Sequence, residues 1–219
     1  GGVGSIVAEQ IARLGVEELI LIDPDTVEES NLQRLVGAYD HHVGKPKGTA
    51  VRENPWKSGS EGVQVEGVQE PVQEREDVLD SCDVIVGGVD SVSARSFCNE
   101  YAVKHLKYYL DVGVRIDVGS EEQIEKKGYV QLVAPGSNGC FDCLGRHDQE
   151  ATHIERLSPE ELEEEQERGY IDDEDLEPEP AVIHLNGLCA SKAVSVLVDL
   201  VTGSCPPDFV RYEDHDHEM

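Results

Sequence analysis

Positive charge is scarce in this sequence. Its 18 Lys and Arg residues stand against 46 Asp and Glu, a formal charge of −28, and lysine is rarer than arginine. That balance argues against nucleic acid as a partner, because its phosphates would be repelled. Long apolar runs are missing too. None approaches the ~20 residues that a membrane span needs, and no signal peptide is visible, so a soluble cytoplasmic protein is expected. Six cysteines scattered through 219 residues are too few for a disulfide scaffold. There is no initiator methionine and no strand ahead of the opening glycines, so the sequence reads as part of a longer chain.

What is present begins with acid. The carboxylates spread along most of the chain, as on a protein working in concentrated salt, the surface of a halophile. Molar salt shortens the Debye length to roughly 3 Å and removes most self-repulsion. A melting temperature that rises with salt is the expected signature, and one that falls would overturn the reading.

The first residues are Gly1-Gly2-Val3-Gly4-Ser5, running straight into the helical apolar pattern Ile6, Val7, Ile11 and Leu14. Glycines let a backbone approach a nucleotide closely, and the N–H groups at a helix start face its phosphates. The next apolar run, Leu19 to Ile22, ends in Asp23, an acid placed to accept hydrogen bonds from a ribose. On its own this loop indicates a nucleotide and no reaction.

Further runs alternate strand and helix. A helix is expected near Lys45, strands over Val63–Val68, Val84–Val86 and Tyr108–Val114, and a helix from Ser91 to Lys104. Another strand is expected over Tyr129–Ala134, a tight turn over Gly139–Cys143, and helices over Ser158–Arg168 and His184–Val201. Ser158-Pro159-Glu160-Glu161 supplies the start signal of the penultimate helix. The pattern predicts a Rossmann-like three-layer α/β fold with a mainly parallel sheet whose first strand is missing, and one core. The site is expected at the carboxyl ends of the strands, where Gly1 to Ser5, Asp23 and Asp90 fall.

The loop after Asp23 is the sharpest feature: Asp23-Pro24-Asp25-Thr26-Val27, then Ser30-Asn31-Leu32-Gln33-Arg34, then Gly44-Lys45-Pro46-Lys47. A nicotinamide-dependent oxidoreductase, the alternative that shares the glycine loop and Asp23, needs nothing like it. Asn31, Arg34 and Lys47 are donors suited to triphosphate oxygens, Arg34 as a planar fork and Lys47 as a point charge. A solvated surface charge is the plain alternative for Arg34.

At these residues the sequence resembles the ThiF/MoeB/HesA family, the bacterial and archaeal relatives of ubiquitin-activating enzymes. The match is carried by Gly1-Gly2-x-Gly4, Asp23-x-Asp25-x-Val27, Ser30-Asn31-Leu32-x-Arg34, Gly44-x-Pro46-Lys47 and Asp90, in order, with a late helix over 186–203. The resemblance implies ATP-dependent adenylation of the C-terminal glycine of a ubiquitin-like or sulfur-carrier protein ending in Gly-Gly, by a homodimer. Gly1, Gly2 and Gly4 would line the phosphates of ATP, and Asp23, with Asp25 beside it, would hold the ribose. Asn31, Arg34 and Lys47 would grip the phosphates, and Asp90 would meet the α-phosphate with Mg²⁺. It divides the chain into an adenylation region (1–146), an acidic crossover (147–183), and a late helix with a C-terminal strand or tail (184–219). A non-catalytic family member acting as a binding partner is a further alternative.

Cys140-Phe141-Asp142-Cys143 has the spacing of half a tetrahedral zinc site, with Cys205 and a histidine of the tail to complete it, or else is an emptied remnant. Residues 146–184 contain no cysteine, and Cys189, Cys82 and Cys98 read as core, so no internal covalent relay is expected. Arg95, about one helical turn beyond Asp90, reads as structural. His41-His42 reads as a solvated turn, and the segment from Asp214 as a disordered tail.

Overall fold

The computed structural model describes residues 1–53, 62–118, 124–145, 154–155, 157–158, 161–162 and 182–215. Among them are six strands, β1 (Glu18–Ile22), β2 (Gln64–Val68), β3 (Val84–Gly87), β4 (Tyr108–Val118), β5 (Ile124–Val133) and β6 (Phe209–His215). Five α-helices accompany them: α1 (Gly2–Arg13), α2 (Lys47–Arg52), α3 (Glu76–Ser81), α4 (Val92–His105) and α5 (Ile183–Val201).

The strands form two sheets, β1-β2 and β3-β4-β5-β6. The pairings β1–β2 and β3–β4 are parallel, whereas β4–β5 and β5–β6 are antiparallel. The α/β architecture is as expected, and the parallel half carries the nucleotide motifs. β1 and β3 each pair along one edge only among the described residues.

Side chains alternate across β4 and β5 and so build a core on each face. On one face Leu110, Val112, Val130 and Leu132 meet Leu185, Cys189, Ala193 and Val196 of α5. On the other, Tyr109 and Val133 meet Cys98, Tyr101 and Ala102 of α4. Val7 and Ile11 of α1 pack on Ala190 and Val194 of α5, joining the N-terminal turn to the late helix. These contacts make three layers, helices on both faces of the sheet.

Several expectations shift in detail. The helix foreseen near Lys45 begins at Lys47, with Pro46 as its cap. The strand foreseen over Tyr129–Ala134 starts earlier, at Ile124, because β4 and β5 form a long antiparallel pair. Asp214 and His215 belong to β6 instead of a tail, held by pairing with Lys126 and Glu125. His42 is buried at 2% exposure, not solvated, and its Nδ1 accepts a hydrogen bond from the Tyr39 N–H. Helix α5 is long and apolar enough to cross a membrane by length and composition, correcting the view that no run approaches that length. Its buried face fills the core described above. Ser158 and Glu161 exchange the two bonds of a capping box at 2.9 and 3.3 Å, and the Leu162 N–H donates to the Ser158 carbonyl at 2.9 Å; the other residues of that expected helix, and most of the crossover, lie outside the described residues.

Candidate nucleotide site

Helix α1 starts at Gly2, so the glycine turn is its first turn and directs N–H groups out of the helix end. The turn is packed from three sides. A Cβ on Gly88 would stand 3.1 Å from the Gly4 nitrogen, which brings the end of β3 against it. A Cβ on Gly2 would stand 2.5 Å from Asn186 Nδ2 and 3.5 Å from Arg34 Cγ. The Ser5 hydroxyl accepts a hydrogen bond from the Val36 N–H at 3.0 Å, fastening the loop that carries Arg34 onto α1.

Asp23 follows the end of β1, its N–H bonded to the Val68 carbonyl at 3.1 Å. One of its carboxylate oxygens accepts from the Asp25 N–H at 3.0 Å, and the other lies 3.0 Å from the Gly1 nitrogen. The Asp25 carboxylate in turn receives the Lys47 ammonium at 2.7 Å, and the Lys47 N–H donates to the Asp25 carbonyl at 2.9 Å. An unbroken series of contacts thus runs Gly1–Asp23–Asp25–Lys47. Lys47 is set by its place at the first residue of α2, and its side chain is only 15% exposed. Arg34 lies against Gly2 through its aliphatic stem and donates from Nη1 to the Ser30 carbonyl at 3.2 Å.

Asn31 works locally. Its side-chain oxygen accepts from the Glu28 N–H at 3.2 Å and its amide donates to the Ser30 hydroxyl at 3.3 Å, and the residue is 7% exposed. It shapes the loop that presents Arg34.

Asp90 lies beyond β3, on an open surface depression lined also by Ser91, Ser93 and Glu155. Glu155 is a residue sequence reasoning missed. Its carboxylate accepts from the Val92 N–H at 2.6 Å, the Ser93 N–H at 2.8 Å and the Ser91 hydroxyl at 2.9 Å, sealing the N-terminus of α4. Burial works to raise its pKa, but these bonds, led by the Ser93 N–H, hold it below the usual carboxylate range. Beneath the Asp90 loop, Arg95 donates from Nη2 to the Val89 carbonyl at 2.5 Å. No sequence signal marks either contact, since both span positions unrelated by any helical or strand period.

The cysteines separate cleanly. Cys140 and Cys143 place their sulfurs 3.5 Å apart, and the Cys143 N–H lowers the pKa of the Cys140 thiol. Among the described residues no group of three or more His, Cys, Asp and Glu is arranged to hold a metal, and His217 of the expected zinc set lies outside them. Cys98 and Cys189 are buried, and burial pushes their thiols up to about 12 and about 11. Cys82, expected in the core, is half-buried.

Comparison with known proteins gives the family and the fold. The ThiF family profile matches residues 1–214. The chain is 31% identical over 158 residues to ubiquitin-like modifier-activating enzyme 5 of Dictyostelium discoideum, covering 66% of this chain and 39% of that one. It is 34% identical over 106 residues to the SAMP-activating enzyme E1 of Haloferax volcanii, covering 46% of this chain and 37% of the relative. This chain therefore spans well under half the length of those two relatives. Among solved structures, E. coli MccB with ATP superposes with a TM-score of 0.68 at 19% identity, over 98% of this chain and 61% of MccB, a likeness of fold. The chain belongs to the ThiF family.

Proposed function

We propose that this chain adenylates the C-terminal glycine of a small ubiquitin-like or sulfur-carrier protein ending in Gly-Gly, using ATP. The carrier's terminal carboxylate oxygen attacks the α-phosphorus, the bond from that phosphorus to the bridging oxygen of the β-phosphate breaks, and pyrophosphate leaves with the electron pair. The product is an acyl-adenylate.

One observation carries this reading: the glycine turn, Asp23, Asp25 and Lys47 form one connected series at the carboxyl end of β1, with Arg34 against Gly2. In this assignment Gly1, Gly2 and Gly4 offer N–H groups and space to the phosphates, and Asp23 takes the ribose hydroxyls. Arg34 and Lys47 each exchange a present partner for phosphate oxygen, matching the charge that grows as pyrophosphate departs. Asn31 acts through the loop.

Asp90 suits a role beside Mg²⁺. It is an oxygen donor, and among the described residues nothing bonds its carboxylate. Bound there, the ion would neutralise phosphate charge. The relatives named for activating ubiquitin-like modifiers support the substrate class, and pairing with a second copy of the chain is part of the proposal.

The test is intact-mass analysis of small proteins ending in Gly-Gly, incubated with the full-length protein, ATP and Mg²⁺. Addition of one AMP, with carrier-dependent exchange of pyrophosphate into ATP, is expected, and Asp90→Ala should abolish both. ATP binding without exchange would make the chain a non-catalytic partner. Binding of NAD in place of ATP would overturn the assignment.

A further inference from the structure

Beneath the Asp90 loop lies a charged cluster that the phosphate-binding residues do not touch. Asp111 on β4 is fully buried. Its carboxylate accepts hydrogen bonds from the Arg95 guanidinium at 2.9 Å, the Tyr109 hydroxyl at 2.8 Å and the Tyr129 hydroxyl at 2.7 Å. Arg95 also bonds the Tyr129 hydroxyl and lies 5.7 Å from the centre of that ring. Two glycines make room for these tyrosines. A Cβ on Gly87 would stand 2.5 Å from the Tyr109 hydroxyl, and one on Gly113 would collide with the Tyr129 ring. Three strands and α4 thus converge on a single ion pair, a site built with cost, since burying charges requires every bond to be made.

The other terminal nitrogen of the guanidinium bonds the Val89 carbonyl at 2.5 Å. That carbonyl belongs to the planar peptide whose nitrogen is that of Asp90, so holding its oxygen fixes the plane from which the Asp90 backbone departs. Resting on the reading above, we propose that Arg95 is a positioning residue: anchored by Asp111, it aims Asp90 at the nucleotide and its metal ion. The alternative is a pair that merely fastens α4 to the sheet.

Burial would weaken the charge on Arg95, but Asp111, followed by the two tyrosines, outweighs it and raises the guanidinium pKa further. The cation therefore persists at any working pH, and the device is geometric. Lysine keeps the charge but has no planar fork to hold Asp111 and Val89 together, which makes Arg95→Lys the informative change.

Calorimetric titration of the full-length protein with ATP, in Mg²⁺ and in EDTA, tests the idea without a carrier. The wild type should bind more tightly in Mg²⁺, and Asp90→Asn should erase that gain. Arg95→Lys should reduce the gain about tenfold, leave affinity in EDTA within twofold and keep a wild-type far-UV spectrum. The double variant should match Asp90→Asn alone. Should Arg95→Lys fail to fold, Tyr129→Phe, which removes one anchor, should reduce the gain about threefold. A full gain in the folded variant, equal losses in both buffers, or additive losses in the double variant would overturn the proposal while ATP binding stood. No ATP binding by the wild type would instead overturn the function on which it rests.

Discussion

Asn186 Nδ2 lies where a Cβ on Gly2 would approach to 2.5 Å, although the two residues stand at opposite ends of the sequence. Helix α5 therefore leaves no room for a side chain at this point of the glycine turn. Asn186 is itself only 2% exposed, so it has little space in which to retreat. Gly2→Ala should destabilise by about 1–3 kcal/mol, the usual cost of overpacking, read from urea unfolding.

Gly4 is the contrast. A Cβ there would meet nothing within 4 Å, and the position lies in the first turn of α1. Gly4→Ala should leave stability unchanged or raise it by up to about 1 kcal/mol through helix propensity. ATP affinity should nevertheless fall, because the methyl group enters the space assigned to phosphate. Equal ATP affinity in wild type and variant would remove Gly4 from the site.

Lys47 and Asp25 form an ion pair at 2.7 Å, but Asp25 is 60% exposed, so the pair contributes little to folding. Lys47→Met should change unfolding free energy by no more than about 1 kcal/mol. It should lower carrier-dependent pyrophosphate exchange by about a hundredfold, the scale of losing a donor to a developing charge. A loss of stability that accounted for the loss of exchange would contradict this role.

His42 supplies a pH dependence. Burial first, then the neighbouring His41 and Lys45, lowers its pKa, with Glu53 at 3.4 Å opposing. The folded state thus binds its proton less readily than the unfolded chain, whose histidines titrate near the ordinary value of about 6.5. Above that value neither state is protonated and the stability is intact. As pH falls below it, the unfolded chain gains a proton first and stability declines, by at most one proton's worth of slope. His42→Asn should flatten this part of the stability profile between about pH 7 and the lower folded-state pKa, measured by chemical denaturation. An unchanged slope would show that other groups are responsible.

The thiols should label in two classes. Cys143 and Cys205 are exposed, whereas Cys98 and Cys189 are buried with thiols raised to about 12 and about 11. At pH 8 a maleimide should modify the first pair in the native protein and the second only after unfolding, as read by peptide mass spectrometry. Rapid native labelling of Cys189 would revive it as a covalent relay.

Part of the candidate nucleotide loop was legible in the amino-acid order, because its helix starts and turns are set by neighbouring residues. Gly1 to Gly4 open a helix and Pro46 starts α2 at Lys47, each through bonds spanning a few residues, and Asp23 follows an apolar run whose period marks it as a strand. The alternation of apolar runs likewise indicated an α/β fold with parallel pairing, since the period of each run reports its own backbone. Asn31 was legible in position but not in what it does, because its short side chain reaches its own loop before it reaches a ligand.

Tertiary structure alone decided the rest. Glu155 reaches the N-terminus of α4 across more than sixty residues, and Arg95 finds Asp111 and Tyr129 only because the β3–β4–β5 register brings them together. The burial of His42 and the approach of Asn186 to Gly2 depend in the same way on packing between distant segments. Local order sets which backbone shapes are cheap, and so it determined the turn, the strands and the helices. Which side chains then share a buried space is set by how those elements stack, a choice made by close packing that no spacing along the chain records.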